Sequence, residues 1–471
     1  MHDLTFLPAV VMAQQIREKK ISPVELVDAH LAQIERLNPK LNAYVHVDQE
    51  RVRREARVAE AAMMKGKSVG SLHGVPISIK SSLEVAGLRC ESGTRLRSGF
   101  VPAQDAPLVT RLRHAGAIVL GVTNTPEFLM AWETDNLLYG RTNSPWDLER
   151  TPGGSSGGEA AAIAAGMSAG GVGSDAGGSI RVPAHFSGIS GLKPTPGRIP
   201  STGHFPASSG PFALIGVVGP MARTVADLKL LFEVMQGRDD GDASAAPVPL
   251  RWPDEREIKN LRIGYFKDDG RTLVTHETRD AVQTAANALR GAGFRVEPFR
   301  LEGLAEAREL WKKFFVKAAG MVIRPMFHGR EHDLSPILRQ FLEWSAAEPD
   351  LTGESLLDAW IRCDVARANF LRQTREHPIL LCPAAAIPAF RHGEREWQID
   401  GQTIHYLDAW SYTEWFNLLG NPAAVVPASH SSEGLPIGVQ IVGRPWEEEQ
   451  VLAVAETLER ECKAWKIPPI R

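Results

Sequence analysis

The chain has 471 residues, 43% hydrophobic and 23% charged, which is the usage of an ordinary globular protein and excludes disordered and fibrous classes. Its 53 basic and 56 acidic residues leave a net charge of −3, and no run rich in Lys or Arg stands out, so a nucleic-acid binder is not expected. Cys90, Cys363, Cys382 and Cys462 lie far apart, with no C-x-x-C pair and no metal-ligand spacing to histidine, so neither a metal site nor a disulfide framework is expected. The start, Met1-His-Asp-Leu, lacks the basic and apolar regions of a signal peptide. The uncharged stretch Ala160 to Ser174 is too short and too rich in Gly and Ala to span a bilayer. A soluble, cytoplasmic chain without a membrane span is the expectation.

Ser22-Pro23-Val24-Glu25 predicts a helix start, a capping box with proline at the first helical position. Val24, Val27, Leu31 and Ile34 then recur at helical spacing until Asn38-Pro39. A second helix is read over Gln49 to Met64. Val75 to Lys80 alternates as a strand, with Val75, Ile77 and Ile79 on one face and Ser78 and Lys80 on the other. A helix from Pro107, a stop at Gly116 and a strand over Ile118 to Val122 continue an α/β pattern. Gly153 to Gly191 is crowded with Gly, Ser and Ala, and Gly237 to Pro249 reads as a polar linker or surface loop. Beyond it, strands at Leu261 to Phe266 and Phe294 to Pro298 flank a helix at Thr278 to Leu289. Residues 303 to 376 read as mostly helical and carry Trp311, Trp344 and Trp360. Asp400-Gly401 signals a hairpin. Strands at Ala423 to Val426 and Ile437 to Val442, then a helix over Glu447 to Trp465, complete one large α/β unit with a helical insertion.

The glycine-rich block carries the candidate chemistry. Gly153 to Gly158 matches G-x-S-x-G twice, but no downstream histidine is singled out as the base that a nucleophile elbow needs. Gly171 to Ala176 fits the loose dinucleotide pattern, yet it follows a small-residue helix instead of opening a sheet. Taken together the block says more. Ser155 and Ser179 are each wrapped in glycine and each precede a predicted helix. Glycine lets backbone approach a ligand closely, and a helix N-terminus offers unpaired N–H groups. Asp175-Ala-Gly-Gly-Ser179 would therefore present backbone donors around a serine hydroxyl, as a developing oxyanion requires. A tight turn packing helix on sheet is the bland alternative. Lys80, ending an apolar strand, would become a usable base if buried, because desolvation disfavours its ammonium.

Together these stretches resemble the amidase signature family. Gly74-Val-Pro-Ile-Ser-Ile-Lys80, Thr151-Pro-Gly-Gly-Ser-Ser-Gly-Gly-Glu159 and Gly173-Ser-Asp-Ala-Gly-Gly-Ser-Ile-Arg-Val-Pro183 carry the likeness. Gly188 to Pro194 and Gly434 to Pro445 extend it. The resemblance implies a single amidase domain over residues 1–471, with a large mixed β-sheet core flanked by helices on both faces. Residues of about 70 to 235 form its signature core. It also implies a Ser–cis-Ser–Lys triad without a cofactor: Ser179 as nucleophile, Ser155 after a cis peptide bond as relay, and Lys80 as base. The N–H groups of Ala176, Gly177, Gly178 and Ser179 would form the oxyanion hole, with Asp175 and Arg181 bracing the loop.

Within the family the stretches Gly153 to Glu159 and Tyr139 to Trp146 look most like fatty-acid amide hydrolase and bacterial acylamidases. The expected activity is hydrolysis of a small-molecule carboxamide, anilide, ester or carbamate. The A subunit of a glutamyl-tRNA amidotransferase, which has the same triad, is the alternative. A scaffold retaining the fold is a third class, which the intact triad disfavours. A homodimer is common among such relatives. Leu129, Met130 and Trp132 are expected to line an acyl cavity, with Trp311, Phe314 and Phe315 as a second apolar cluster; ordinary core is the competing reading for both.

Overall fold

The computed structural model describes residues 4–66 and 69–470. Alternate side chains of its central strands leave the two faces of one mixed sheet. Ile77, Ile79, Val119, Leu381, Val439 and Ile441 enter one apolar core with the helices Val225–Met235, His276–Gly291 and Glu448–Cys462. Ser78, Lys80 and Gln440 take the other parity. Burying Ile and Val every second residue is what fixes strand register here, since a one-residue slip would turn Lys80 into that core.

The strands are β1 (Tyr44–Val47), β2 (Pro76–Lys80), β3 (Ile118–Thr123), β4 (Gly170–Asp175), β5 (Ser190–Lys193), β6 (Val217–Ala222), β7 (Arg262–Tyr265), β8 (Arg295–Pro298) and β9 (Ile379–Pro383). β10 (Glu396–Ile399), β11 (Gln402–His405), β12 (Ala423–His430) and β13 (Pro436–Val442) follow. Eleven of them form the sheet in the order β1-β3-β2-β4-β6-β5-β12-β13-β9-β7-β8. β3, β2 and β4 run parallel, as do β9, β7 and β8, while the central pairings are antiparallel. β10 and β11 form a separate hairpin, with Asp400 and Gly401 both at positive φ as a two-residue turn demands.

The Ser22 capping box is present, but that helix runs over Pro23–Leu41 instead of stopping at Asn38-Pro39. Pro39 lies in the last turn, and Asn38 Oδ1 accepts the N–H groups of Ala43 and Tyr44 at 2.9 and 2.8 Å, which secures the exit. The segment after β8 is helical: Leu304–Trp311, a π-helical stretch Lys312–Lys317, then Ala318–Met326, Pro336–Ala347 and Gly353–Gln373. It joins Val182 and Phe186 in a second core on the face that carries Lys80. Among the described residues no helix is long and apolar enough to cross a membrane.

Candidate active site

Lys80 closes β2, and its side chain is fully buried. Nζ donates to Ser155 Oγ at 2.7 Å, to Ser156 Oγ at 3.0 Å and to Ser174 Oγ at 3.0 Å. Three hydroxyls thus match the three protons of an ammonium. Burial draws the amine down to about 7, against the opposing pull of Asp175 and Glu159.

Ser155 follows a cis peptide bond from Gly154 and precedes the helix Gly157–Ala164. A side chain on Gly154 would collide with the Glu133 backbone at 2.3 Å, so only glycine admits this path. The Ser155 carbonyl accepts from Thr125 Oγ1 at 2.7 Å. Ser156 N–H donates to the Ser179 carbonyl at 3.2 Å, tying the two serine loops together.

Ser179 ends the loop that leaves β4. The carbonyls of this loop are held one by one. Asp175 O accepts from Asn417 Nδ2 at 3.2 Å, and Ala176 O accepts from Trp311 Nε1 at 2.7 Å. Gly177 O accepts from Trp132 Nε1 at 2.8 Å and from Thr413 Oγ1 at 2.9 Å. Gly178 O accepts the N–H of Val182 at 2.7 Å. In a peptide unit the N–H points opposite to the C=O, so each tether also aims the N–H that follows it.

Asp175 organises the same loop from within. Its carboxylate pairs with Arg181 (Nη2 to Oδ1, 2.9 Å; Nε to Oδ2, 3.0 Å), and neither side chain is exposed. Burial alone would raise this carboxyl, but Arg181 and the N–H of Ile180 hold it well below the usual range. Gly178 N–H also donates to Asp175 Oδ1, at 2.8 Å. Gly178 N–H, one of the four oxyanion donors expected from the sequence, is thus engaged by Asp175. The N–H groups of Ala176, Gly177 and Ser179 make no such bond among the described residues.

Ser155, Ser174, Ala176 and Ser179 open onto a cavity of about 460 Å³. Phe128, Leu129, Met130, Phe315, Ala319 and Ile323 line its apolar part, and the loop from His204 to Phe212 walls another side. Leu129 and Met130, expected at an acyl cavity, are part of this lining. Trp132 is not: its ring stacks on Trp410 and its N–H is spent on Gly177, beneath the loop and outside the lining. Trp311 likewise holds the loop, and Phe314 packs against Trp360, which leaves Phe315 as the member of that cluster facing the cavity.

The family model for Amidase matches residues 25–452. The chain belongs to the amidase signature family. It is accordingly a hydrolase acting on carbon–nitrogen bonds. The chain is 34% identical to an indoleacetamide hydrolase of Bradyrhizobium diazoefficiens, over 96% of this chain and 86% of that protein. It is 32% identical to the A subunit of the glutamyl-tRNA(Gln) amidotransferase of Carboxydothermus hydrogenoformans, over 99% of each. A bacterial aryl acylamidase of the same family superposes with a TM-score of 0.87 at 27% identity, over 99% of both chains.

Ser156, Ser174 and the wall from His204 to Phe212 were missed by sequence reasoning. Ser174 had a signal in its position within the Gly173 to Pro183 stretch, just before Asp175, and the structure places it on β4 beside β2. The wall had a weaker one in Phe205-Pro206, which forms a second cis bond.

Proposed function

We propose that this amidase hydrolyses neutral carboxamides with apolar or aryl acyl groups, through an acyl-enzyme on Ser179 and without a partner chain. The observation that carries the reading is that Ser155, bonded to the buried Lys80, and Ser179 both open onto one apolar cavity. Lys80 Nζ lies 2.7 Å from Ser155 Oγ, while Ser155 and Ser179 share the cavity surface. In the neutral form Lys80 takes a proton from Ser155 as Ser155 takes one from Ser179. The Ser179 oxygen then bonds to the carbonyl carbon, and the electron pair moved onto the carbonyl oxygen meets the N–H groups of Ala176, Gly177 and Ser179. Collapse breaks the C–N bond as the relayed proton passes to the leaving amine. Water then attacks the ester by the same route and frees the acid and Ser179.

The lining supports a neutral acyl group. No Lys or Arg belongs to it, and its one carboxylate, Asp175, is spent on Arg181. A glutamine substrate would bring an ammonium and a carboxylate into this wall uncompensated, at a cost of several kcal/mol per ion. The likeness to an indoleacetamide hydrolase and an aryl acylamidase points the same way. The A subunit of an amidotransferase is the competing reading.

The test is turnover by the purified chain alone on aryl and straight-chain amides, with glutamine beside them, followed by intact-mass analysis after a fluorophosphonate. Hydrolysis of the neutral amides and an adduct lost in Ser179→Ala are expected. Glutamine as the best substrate, or an adduct that persists in Ser179→Ala, overturns the reading.

A further inference from the structure

Glu159 lies in the first turn of the helix Gly157–Ala164, fully buried, behind Lys80 and outside the cavity lining. Ser78 Oγ donates to its Oε1, and Thr123 Oγ1 donates to its Oε2 at 2.7 Å. Ser78 stands two residues before Lys80 on the same face of β2, and Thr123 is the register partner of Lys80 on β3. The two hydroxyls therefore hold the carboxyl beside the lysine stem. Space is reserved for it: a Cβ on Gly171, which registers against Ser78, would come within 1.9 Å of Oε1.

Two hydroxyl donors favour the carboxylate over the acid, and a buried carboxylate needs a countercharge. The cation that acts on Glu159 is Lys80. We infer that Glu159 is a positioning residue for the amidase reaction: its carboxylate stabilises the ammonium formed when Lys80 accepts the proton relayed from Ser179. The inference rests on the triad reading given above. The proton travels from Ser179 through Ser155 to Lys80 and returns to the leaving amine, and Glu159 takes none. As with the aspartate of a Ser-His-Asp triad, charge behind the base steadies the base's cationic form, but among the described residues no direct hydrogen bond joins Glu159 to Lys80, so the effect acts through space.

The other groups facing this pair leave Glu159 in control. Asp175, at the end of β4, is neutralised by Arg181. His204, on the loop before β6, gives Nδ1–H to Pro206 O at 2.7 Å, and burial drives its ring down to about 4, so it is neutral in the working range. Tyr44, on β1, donates its hydroxyl to Met167 O at 3.1 Å, and burial raises its phenol far above neutrality. Burial pushes Glu159 up and Lys80 down, and each opposes the shift of the other: Lys80 lowers Glu159, and Glu159 raises Lys80.

Glu159→Gln keeps the shape and removes the charge. With less support for the ammonium, Lys80 loses its proton at lower pH, so the acid limb of the pH profile moves down by about one unit. The alkaline plateau falls about three- to tenfold, because a weaker base serves the transition state. The experiment measures the rate of Ser179 labelling by a fluorophosphonate against pH, in the native chain, Glu159→Gln and Ser78→Ala. Ser78→Ala removes one donor to the carboxylate and is expected to shift the limb in the same direction by less; it decides the matter if Glu159→Gln does not fold. A folded variant whose limb coincides with the native one, or moves upward, overturns the inference and leaves Glu159 a structural tie. Failure of the native chain to label at Ser179 overturns the triad reading, and the inference falls with it.

Discussion

Trp311 and Trp132 each give an indole N–H to the loop before Ser179, and the two bonds differ in consequence. The carbonyl of Ala176 shares its peptide unit with Gly177 N–H, a proposed oxyanion donor, whereas the carbonyl of Gly177 shares its unit with Gly178 N–H, already bound to Asp175. Trp311→Phe leaves Ala176 O without its donor and frees Gly177 N–H to wander, while the ring stack on Phe315 at 4.9 Å is kept. We expect kcat to fall about tenfold, short of the 10²–10³ lost when an oxyanion donor is deleted outright, with little change in KM. Trp132→Phe should cost less, because Thr413 Oγ1 still holds Gly177 O at 2.9 Å. Steady-state kinetics of the two variants checks this; equal losses would show that the loop is held as a block. These roles were illegible in the sequence for a physical reason. Helical spacing and apolarity reveal that an indole is buried, but not that its N–H ends on a backbone carbonyl far away in the chain. Lys80, Ser155 and Ser179 stand out in the sequence because each lies near glycines that leave no room for a side chain: Gly74 against Pro23 and Ile16, Gly154 against the Glu133 backbone, and Gly177 and Gly178 against Trp311 and Thr413.

At the scale of elements, the apolar part of the cavity is shaped by two irregular segments. Phe128 and Leu129 both take positive φ, 52° and 69°, in the short turn after Pro126, a conformation that costs roughly 1–2 kcal/mol per residue outside glycine. Glu127 holds the turn: Oε1 accepts from Thr94 Oγ1 at 2.8 Å, and Oε2 accepts Ser335 N–H at 2.8 Å. Opposite it, the π-helical Lys312–Lys317 presents Phe315, and the helix Ala318–Met326 adds Ala319 and Ile323. The sequence pattern gave the helical nature of this region but neither irregularity, since both depend on tethers from distant residues. Burying one methylene contributes about 0.8 kcal/mol, or roughly fourfold in kcat/KM, until the cavity is full. Straight-chain amides should therefore rise by up to about that factor per carbon and then level. Ile323→Trp, which takes up space in the apolar part of the cavity, should bring the levelling to a shorter chain. A series that stays flat in the native chain, or an Ile323→Trp profile that falls equally at every length, would remove the acyl group from this part of the cavity.

For the whole molecule, burying two amines on the face of the candidate site should cost stability. Arg181 and Asp175 compensate each other, but Lys80 and Lys193 are fully buried amines, each drawn down to about 7 by burial. Among the described residues Lys193 gives one hydrogen bond, to Pro194 O at 3.0 Å, and Arg181 repels it while Asp175 and Glu448 attract it. The strand alternation that buries the opposite face was readable from the sequence. Lys193 at the end of β5 was not, because a strand-end lysine ordinarily reaches water, whereas here every residue of β5 is buried. A lysine whose folded value lies below its unfolded value of 10.5 binds fewer protons when folded. Its destabilising effect is therefore complete below about pH 7, shrinks as pH rises from there, and vanishes above about 10.5. The slope is about 1.4 kcal/mol per pH unit for each such group. Buried thiols act with the opposite sign at higher pH: burial raises Cys90 and Cys382 from 9.0 to about 12, so the fold loses stability as unfolded thiols ionise. The lysine effect is cleanest below that range, between about pH 7 and 8.5. Lys193→Met exchanges the buried amine for an apolar chain of similar length. It should raise the thermal midpoint most at pH 7, and its advantage over the native chain should narrow steadily toward pH 8.5. Midpoints taken at one fixed scan rate in both proteins test this, and parallel curves, or a variant less stable at pH 7, would mean that the Lys193 ammonium is accommodated in the folded chain.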